Sequence, residues 1–291
     1  MRIFEFIIRF FVFVGWLSQC MEASKKRIDP YAENELWDSL KESRIQNVIE
    51  KNENGEINTP PTDGRPYLKV VCISDTHEQL DKVEVPDGDV LIHAGDFTNS
   101  GKRDELIRFN NEMAAFPHKY KLVVAGNHEL GFDKKENKSQ RNANDQGQGT
   151  DDGYELLTNV TYLQDQSITI EGVHFFGSSY HPLYGFPFYR DRRTEMPNCW
   201  KAVPNDTDVL ITHTPPLGYL DQFGEERWGC KDLLYTVERI QPAFHIFGHV
   251  HERHGILSNN QTTFINAAQC SRNNLIQTRP IVFYIPTKVS L

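Results

Sequence analysis

Five short apolar runs in this chain stop on a polar group: "LKVVCIS" (68–74), "DVLIHAG" (89–95), "KLVVAG" (121–126), "DVLITH" (208–213) and "AFHIFG" (243–248). Their length and β-branched content predict buried strands. Between the second and third, residues 102–116 place Leu106, Phe109, Met113 and Phe116 near helical spacing, and residues 230–240 do the same with Leu233, Val237 and Ile240. Strands that alternate with helices need crossover connections, so the pattern predicts a layered α/β domain. The stretch 160–180 has two β-rich arms around Glu171-Gly172, which predicts a hairpin and makes the sheet arrangement mixed.

The flanks read differently. Residues 1–66 are expected to be an apolar leader and a poorly structured lead-in, with the folded domain occupying 67–291. The polar, Pro- and Gly-rich stretch 51–66 marks a linker. Residues 133–153 hold almost nothing apolar and are expected to be a mobile surface insertion. "FFVFVGWL" (10–17) has the length of a signal-peptide core, but Glu5 and Arg9 precede it and no A-x-A site follows. It is too short to span a bilayer, which takes about 20 apolar residues.

Charge and cysteine usage narrow the class. A net charge of −9 argues against a protein that binds long nucleic acid through its backbone. It leaves open a small phosphate-bearing substrate, because a bound cation can outweigh the global balance. The five cysteines are odd in number and have no C-x-x-C spacing. No disulfide framework is expected, and a cytoplasmic location follows, with an N-terminal signal or peripheral membrane segment as the alternative.

What ends the strands carries the chemistry. The first run ends in Asp75-Thr76-His77, the second in Gly95-Asp96, the third in Gly126-Asn127-His128-Glu129, the fourth in His213, and the fifth in Gly248-His249-Val250-His251. Any one ending could be a solvated strand terminus. If the strands lie side by side, however, their ends converge on one rim, where ligands of open α/β sheets bind. Two carboxylates, an amide and several imidazoles brought together would repel without a cation. They match mixed O/N ligation of a divalent transition metal and are too many for one four-coordinate ion. Two ions sharing a carboxylate form a phosphoryl-transfer device.

The ordered series D-x-H, G-D, G-N-H-E, T-H and G-H-x-H resembles the calcineurin-like metallophosphoesterase superfamily. The surrounding words "GDVLIHAGDFT", "AGNHEL", "LITHTPPLG" and "FGHVHE" are similar to the metallophosphoesterase domain-containing protein family of animals. The departures are the insertion at 133–153, Thr214 where relatives tend to have Gly, and a divergent stretch at 177–193. The resemblance implies an αββα sandwich of two mixed β-sheets flanked by helices. It assigns one ion to Asp75, His77, Asp96 and His251 and the other to Asp96, Asn127, His213 and His249. It also places His128 toward the substrate as a proton donor to the leaving oxygen, while a water shared by the cations attacks phosphorus. Mn²⁺ is the expected metal, with Fe or Zn as alternatives.

Other residues carry lesser readings. His93 and His245 lie inside apolar strands and read as core or supporting groups. His118, His174, His181 and His254 are left as surface or pocket-rim residues. Arg190, Arg192 and Arg193 are either phosphate-steering groups or a solvated charge run. Protein phosphatases of the superfamily carry forked arginines where this chain has Ser100 and Ala125. Their loss favours a monoanionic phosphodiester, including a cyclic nucleotide, over a phosphoprotein. A catalytically weak nucleotide-binding or scaffolding role on the same fold stays open.

Overall fold

The computed structural model describes residues 32–288; the apolar leader at 10–17 lies outside the described residues. Four helices occur among them: α1 (Ala32–Leu40), α2 (Arg103–Ala115), α3 (Met196–Lys201) and α4 (Lys231–Ile240). The strands in chain order are β1 (Asn47–Val48), β2 (Tyr67–Ile73), β3 (Val90–His93), β4 (Tyr120–Val123), β5 (Thr161–Tyr162), β6 (Gln166–Ile170) and β7 (Val173–Ser178). They continue as β8 (Val209–Thr212), β9 (Gln222–Phe223), β10 (Glu226–Arg227), β11 (Phe244–Phe247), β12 (Gly255–Ser258), β13 (Thr263–Asn266) and β14 (Ile281–Pro286). One mixed sheet runs β14-β2-β3-β4-β5 and the other β1-β12-β13-β11-β8-β7-β6, beside a small β10-β9 ribbon.

Period-two alternation explains the layers. In β2, Val70 and Cys72 face the inter-sheet core with Ile92, Leu122, Val209, Ile211 and Ile246. Their neighbours Val71 and Ile73 point the other way, onto Leu106, Phe109 and Met113 of α2. On the second sheet Leu210 and Phe247 turn outward to Trp200 of α3 and to Leu233, Leu234 and Val237 of α4. Strands covered on both faces read as continuous apolar runs, as these do. The result is a layered αββα arrangement of two mixed sheets.

Local signals set the helix ends. The Glu105 carboxylate accepts the N–H groups of Ser100 (2.9 Å) and Lys102 (3.2 Å) at the start of α2, and Pro117 lies just past its end. Gln241 adopts φ +51° at the close of α4, followed by Pro242.

The expectation for residues 32–48 is corrected, and the internal segment 133–153 holds buried polar contacts. Residues 32–48 are not a loose lead-in: α1 buries Trp37, and β1 pairs antiparallel with β12 at the edge of the larger sheet. The segment 133–153 is polar throughout yet anchored, because Arg141 and Glu136 form a buried ion pair and Arg141 Nη1 donates to Gln148 O at 2.6 Å. A charge that finds a partner can be buried even where apolar side chains are lacking.

Candidate metal centre

The topology brings the strand ends together. β2, β3 and β4 are parallel, as are β8 and β11, so Asp75, Asp96, Asn127, His213 and His249 all follow C-terminal strand ends. Asp75, His77 and His251 each offer one ligand atom within 4.8 Å of one another, and Asp96, His213 and His249 form a second such group. Asn127 Oδ1 lies 3.1 Å from His213 Nε2, beside the second group. All seven residues are buried.

Asp96 stands between the groups. Its Oδ2 is 3.3 Å from His213 Nε2 and 4.0 Å from His77 Nε2, while Oδ1 accepts the N–H of His128 at 2.9 Å. His128 is half-buried, its ring 4.9 Å from that of His77, and its Nδ1 lies 2.7 Å from the acceptor Asn99 O. That contact puts the ring proton on Nδ1 and turns Nε2 away from the backbone.

The backbone is strained here. Asp75 (φ +52°), His77 (+43°), Asp96 (+54°) and His249 (+70°) all occupy the left-handed region that non-glycine residues avoid. Such residues persist only where the surroundings over-determine them. Two glycines allow the approach. A Cβ on Gly126 would lie 2.2 Å from Asp96 Oδ1, and one on Gly248 2.1 Å from Asp75 Oδ2.

The donor chemistry fits divalent cations. His213 Nδ1 lies 2.9 Å from Ala94 O, so Nδ1 carries the proton and Nε2 presents a lone pair. That lone pair faces two acceptors, Asn127 Oδ1 and Asp96 Oδ2. His251 repeats the arrangement, with Nδ1 3.3 Å from Ser271 O and Nε2 3.2 Å from Asp75 Oδ1 and 3.3 Å from His77 Nε2. Facing lone pairs repel unless a proton or a cation sits among them. The acid-base balance records the same conflict. Burial works against a charged His213, yet the charge and hydrogen bond of Asp96, with the charge of Asp75, push it up to about 9. Burial, with the charge of His128, pushes His77 down to about 3. Burial raises the Asp75 carboxyl, but the hydrogen bond and charge of His251 outweigh it and bring the group to about 2.

Several supporting groups were not assigned from sequence. The buried Glu129 carboxylate accepts from Asp96 N (3.0 Å), Gly126 N (2.6 Å), Thr98 N (3.0 Å) and Thr98 Oγ1 (2.9 Å), which pins the second and third strand ends together. Its only signal was its place directly after His128. Trp228 lies 5.4 Å from the His249 ring and Phe186 lies 6.4 Å from the His128 ring; nothing in their spacing marked them. His93 and His245 are buried as expected, bonded to Thr76 Oγ1 and Thr212 Oγ1 at 2.9 Å each. His118 and His181, expected at the surface or rim, are buried. Arg190 and Arg192 are ion-paired with Asp133 and Glu33.

The family model described as calcineurin-like phosphoesterase matches residues 68–253. This chain belongs to that family. A UPF0046 protein of Caenorhabditis elegans is 75% identical over 94% of this chain and 95% of its own length. Metallophosphoesterase domain-containing protein 1 of Homo sapiens is 41% identical over 76% of this chain and 72% of its own length. A solved structure with 17% identity superposes with a TM-score of 0.50 over 69% of this chain and 90% of that one, a likeness of fold. The chain is therefore a metallophosphoesterase-family protein with two candidate metal-binding groups. No helix among the described residues is long and apolar enough to cross a membrane.

Proposed function

We propose that this protein is a dinuclear-metal phosphodiesterase acting on small phosphodiesters, cyclic nucleotides among them. The observation that carries the reading is the position of Asp96 Oδ2 between His213 and His77, one from each candidate group. In this reading Asp75, His77, Asp96 and His251 hold one cation, and Asp96, Asn127, His213 and His249 hold the other, with Asp96 shared. Borderline N/O donors suit Mn²⁺, Fe or Zn. When bound, the pair would acidify a shared water and neutralise phosphoryl oxygens.

The chain's own residues supply the rest. Asp96 Oδ1 holds the His128 backbone, and Asn99 O accepts the Nδ1 proton and orients the ring; protonated at both nitrogens, His128 would donate from Nε2 to the leaving oxygen. Asp75 and Glu129 hold the ligand-bearing loops through backbone N–H groups. Preference for a diester rests on Ser100 and Ala125, where forked arginines would otherwise bind a dianion. Ser100 N bonds Glu105 and Ala125 N bonds Ser179, so both positions serve loop structure. Arg190 forks onto Asp133, so it does not replace them, and Arg192 pairs with Glu33.

The test compares an aryl phosphodiester with the corresponding monoester on Mn²⁺-loaded protein, with metal content measured in parallel. Diester preference is expected. A clear preference for the monoester reverses the substrate assignment, and metal-free protein with full turnover ends the dinuclear reading.

A further inference from the structure

We infer that residues 32–48, upstream of the matched family region, form a tie-bar that holds two walls of the metal centre, with Trp37 and Glu33 as its positioning residues. Only the catalytic consequence of this inference rests on the phosphodiesterase reading.

The first wall is the divergent stretch 183–192. It brings Phe186 against His128 and is hung from Asp133, which accepts from Phe188 N (2.9 Å) and Arg190 Nη1 (2.8 Å). Its far end, Arg192, pairs with the buried Glu33 of α1. The second wall is the loop 216–228. It carries Trp228 against the His249 ring, with Phe223 stacked on Trp228 at 4.2 Å. Inside this loop the buried Asp221 accepts from Gly218 N at 2.9 Å and Arg227 Nη1 at 2.5 Å.

The tie-bar grips the second wall at several points. The Trp37 indole lies so close over Gly218 that a Cβ there would be 2.1 Å from it. The Arg227 guanidinium lies 5.1 Å from the Trp37 ring, and the Tyr219 ring stands edge-on at 6.0 Å. Asn34 Nδ2 donates to Glu225 O at 2.6 Å, Gln46 Nε2 to Gly218 O at 2.5 Å, and Tyr219 Oη to Ile45 O at 3.2 Å. Beyond the helix, Arg44 pairs with Glu238 of α4 at 2.7 Å, and β1 joins the sheet edge.

A nine-residue helix is marginal by itself in water, so α1 exists because it docks. By the same linkage, what it docks on is ordered by it. Glu33 and Trp37 lie four residues apart, on one face of the helix, and reach different walls. One brace therefore sets both the Phe186–His128 side and the Trp228–His249 side of the centre.

The experiment is amide hydrogen exchange on the full chain, metal-free and with Mn²⁺, for Trp37→Ala, Trp37→Phe, Gly218→Ala and Glu33→Gln. Gly218→Ala drives a methyl into the indole's seat and, at φ +91°, also strains the loop backbone, so it supports but does not replace the Trp37 variants. Glu33→Gln is nearly isosteric and cuts only the Arg192 arm. Trp37→Ala and Gly218→Ala should each speed exchange in 217–229 by about tenfold or more while β2 to β4 stay protected. Glu33→Gln should do so in 183–193 alone, and Trp37→Phe should restore most of the protection. On Mn²⁺-loaded protein, Trp37→Ala should raise KM for the aryl phosphodiester about fivefold with kcat within about twofold. Exchange that rises uniformly across the domain, or that stays unchanged at 217–229 in Trp37→Ala, overturns the tie-bar. Wild-type protein without phosphodiester turnover removes the phosphodiesterase reading, and the exchange pattern still decides the tie-bar.

Discussion

Both carboxylate oxygens of Asp75 accept the backbone N–H of His249, each at 3.1 Å, across 174 positions of chain. The contact joins the end of β2 in one sheet to the end of β11 in the other. Asp75 thus does two things at once: it closes the seam between the sheets and offers an oxygen to His77 and His251. The seam is tight enough to be tested with one methyl group.

Gly248→Ala places that methyl 2.1 Å from Asp75 Oδ2 and 2.3 Å from Ser74 Oγ. Overpacking of this kind costs about 1–3 kcal/mol, so the melting temperature should fall. The displaced carboxylate should also lose metal, which elemental analysis of the purified variant would show. Wild-type metal content in Gly248→Ala would mean that Asp75 is not held by this contact.

Asp96→Asn separates folding from metal binding. The amide can keep Oδ1 on the His128 N–H and turn its NH₂ toward the His213 Nε2 lone pair, so the fold should survive. The oxygen shared between the two groups is gone, however. Metal affinity should drop at both sites by at least about 100-fold. His251→Ala, which removes a ligand from one group only, should retain about one ion per chain if the two groups bind as assigned. Equal losses in the two variants would argue against a shared Asp96.

His128→Ala should bind metal normally and lose turnover. The loss expected for removing a general acid is about 10²–10⁴-fold. It should be largest for diesters with alkoxide leaving groups and smallest for nitrophenolate, which departs without a proton. Steady-state rates across a leaving-group series decide this. A loss independent of leaving group would move His128 from proton donor to substrate binder.

Much of this centre was legible in the sequence because its chemistry is local to strand ends. A run such as Val70 to Ile73 announces a strand buried on both faces, and the polar residue that stops it announces the rim. The G-N-H-E and G-H-x-H endings then supplied ligand types in order. What stayed hidden depends on long-range partners. Arg190 reads from sequence as either a phosphate-steering group or part of a solvated charge run, and its partner Asp133 lies 57 positions away. Trp37 sits in a short helix whose pattern carries no mark of the glycine it covers. Glu129 lay in plain view after His128, but its role consists of accepting backbone N–H groups from two loops, which a side-chain motif does not encode. His118 and His181 are buried by neighbours that no local periodicity could name.

The pH dependence of the metal-free protein should be bell-shaped around pH 6.5. His213, raised to about 9 by Asp96 against the effect of burial, contributes stability that is complete below its unfolded value of 6.5. That contribution is lost as pH rises through 9. His77, His93, His181 and His245 are each pushed to about 3, chiefly by burial, so the unfolded chain binds more protons than the folded one between about pH 3 and 6.5. Stability therefore falls as pH drops through that window, and Asp75, held at about 2, adds to the loss below its unfolded value of 3.8. The His213 share of the alkaline limb is about 3 kcal/mol at 1.36 kcal/mol per unit, and His251, also raised against burial by Asp75, acts in the same direction. A divalent cation would take the place of the His213 proton, so saturating Mn²⁺ should flatten the alkaline limb and leave the acid limb largely in place. Thermal melts between pH 5 and 9.5, in chelator and in Mn²⁺, measure both limbs. An alkaline limb that persists unchanged with Mn²⁺ would mean that His213 does not exchange its proton for metal.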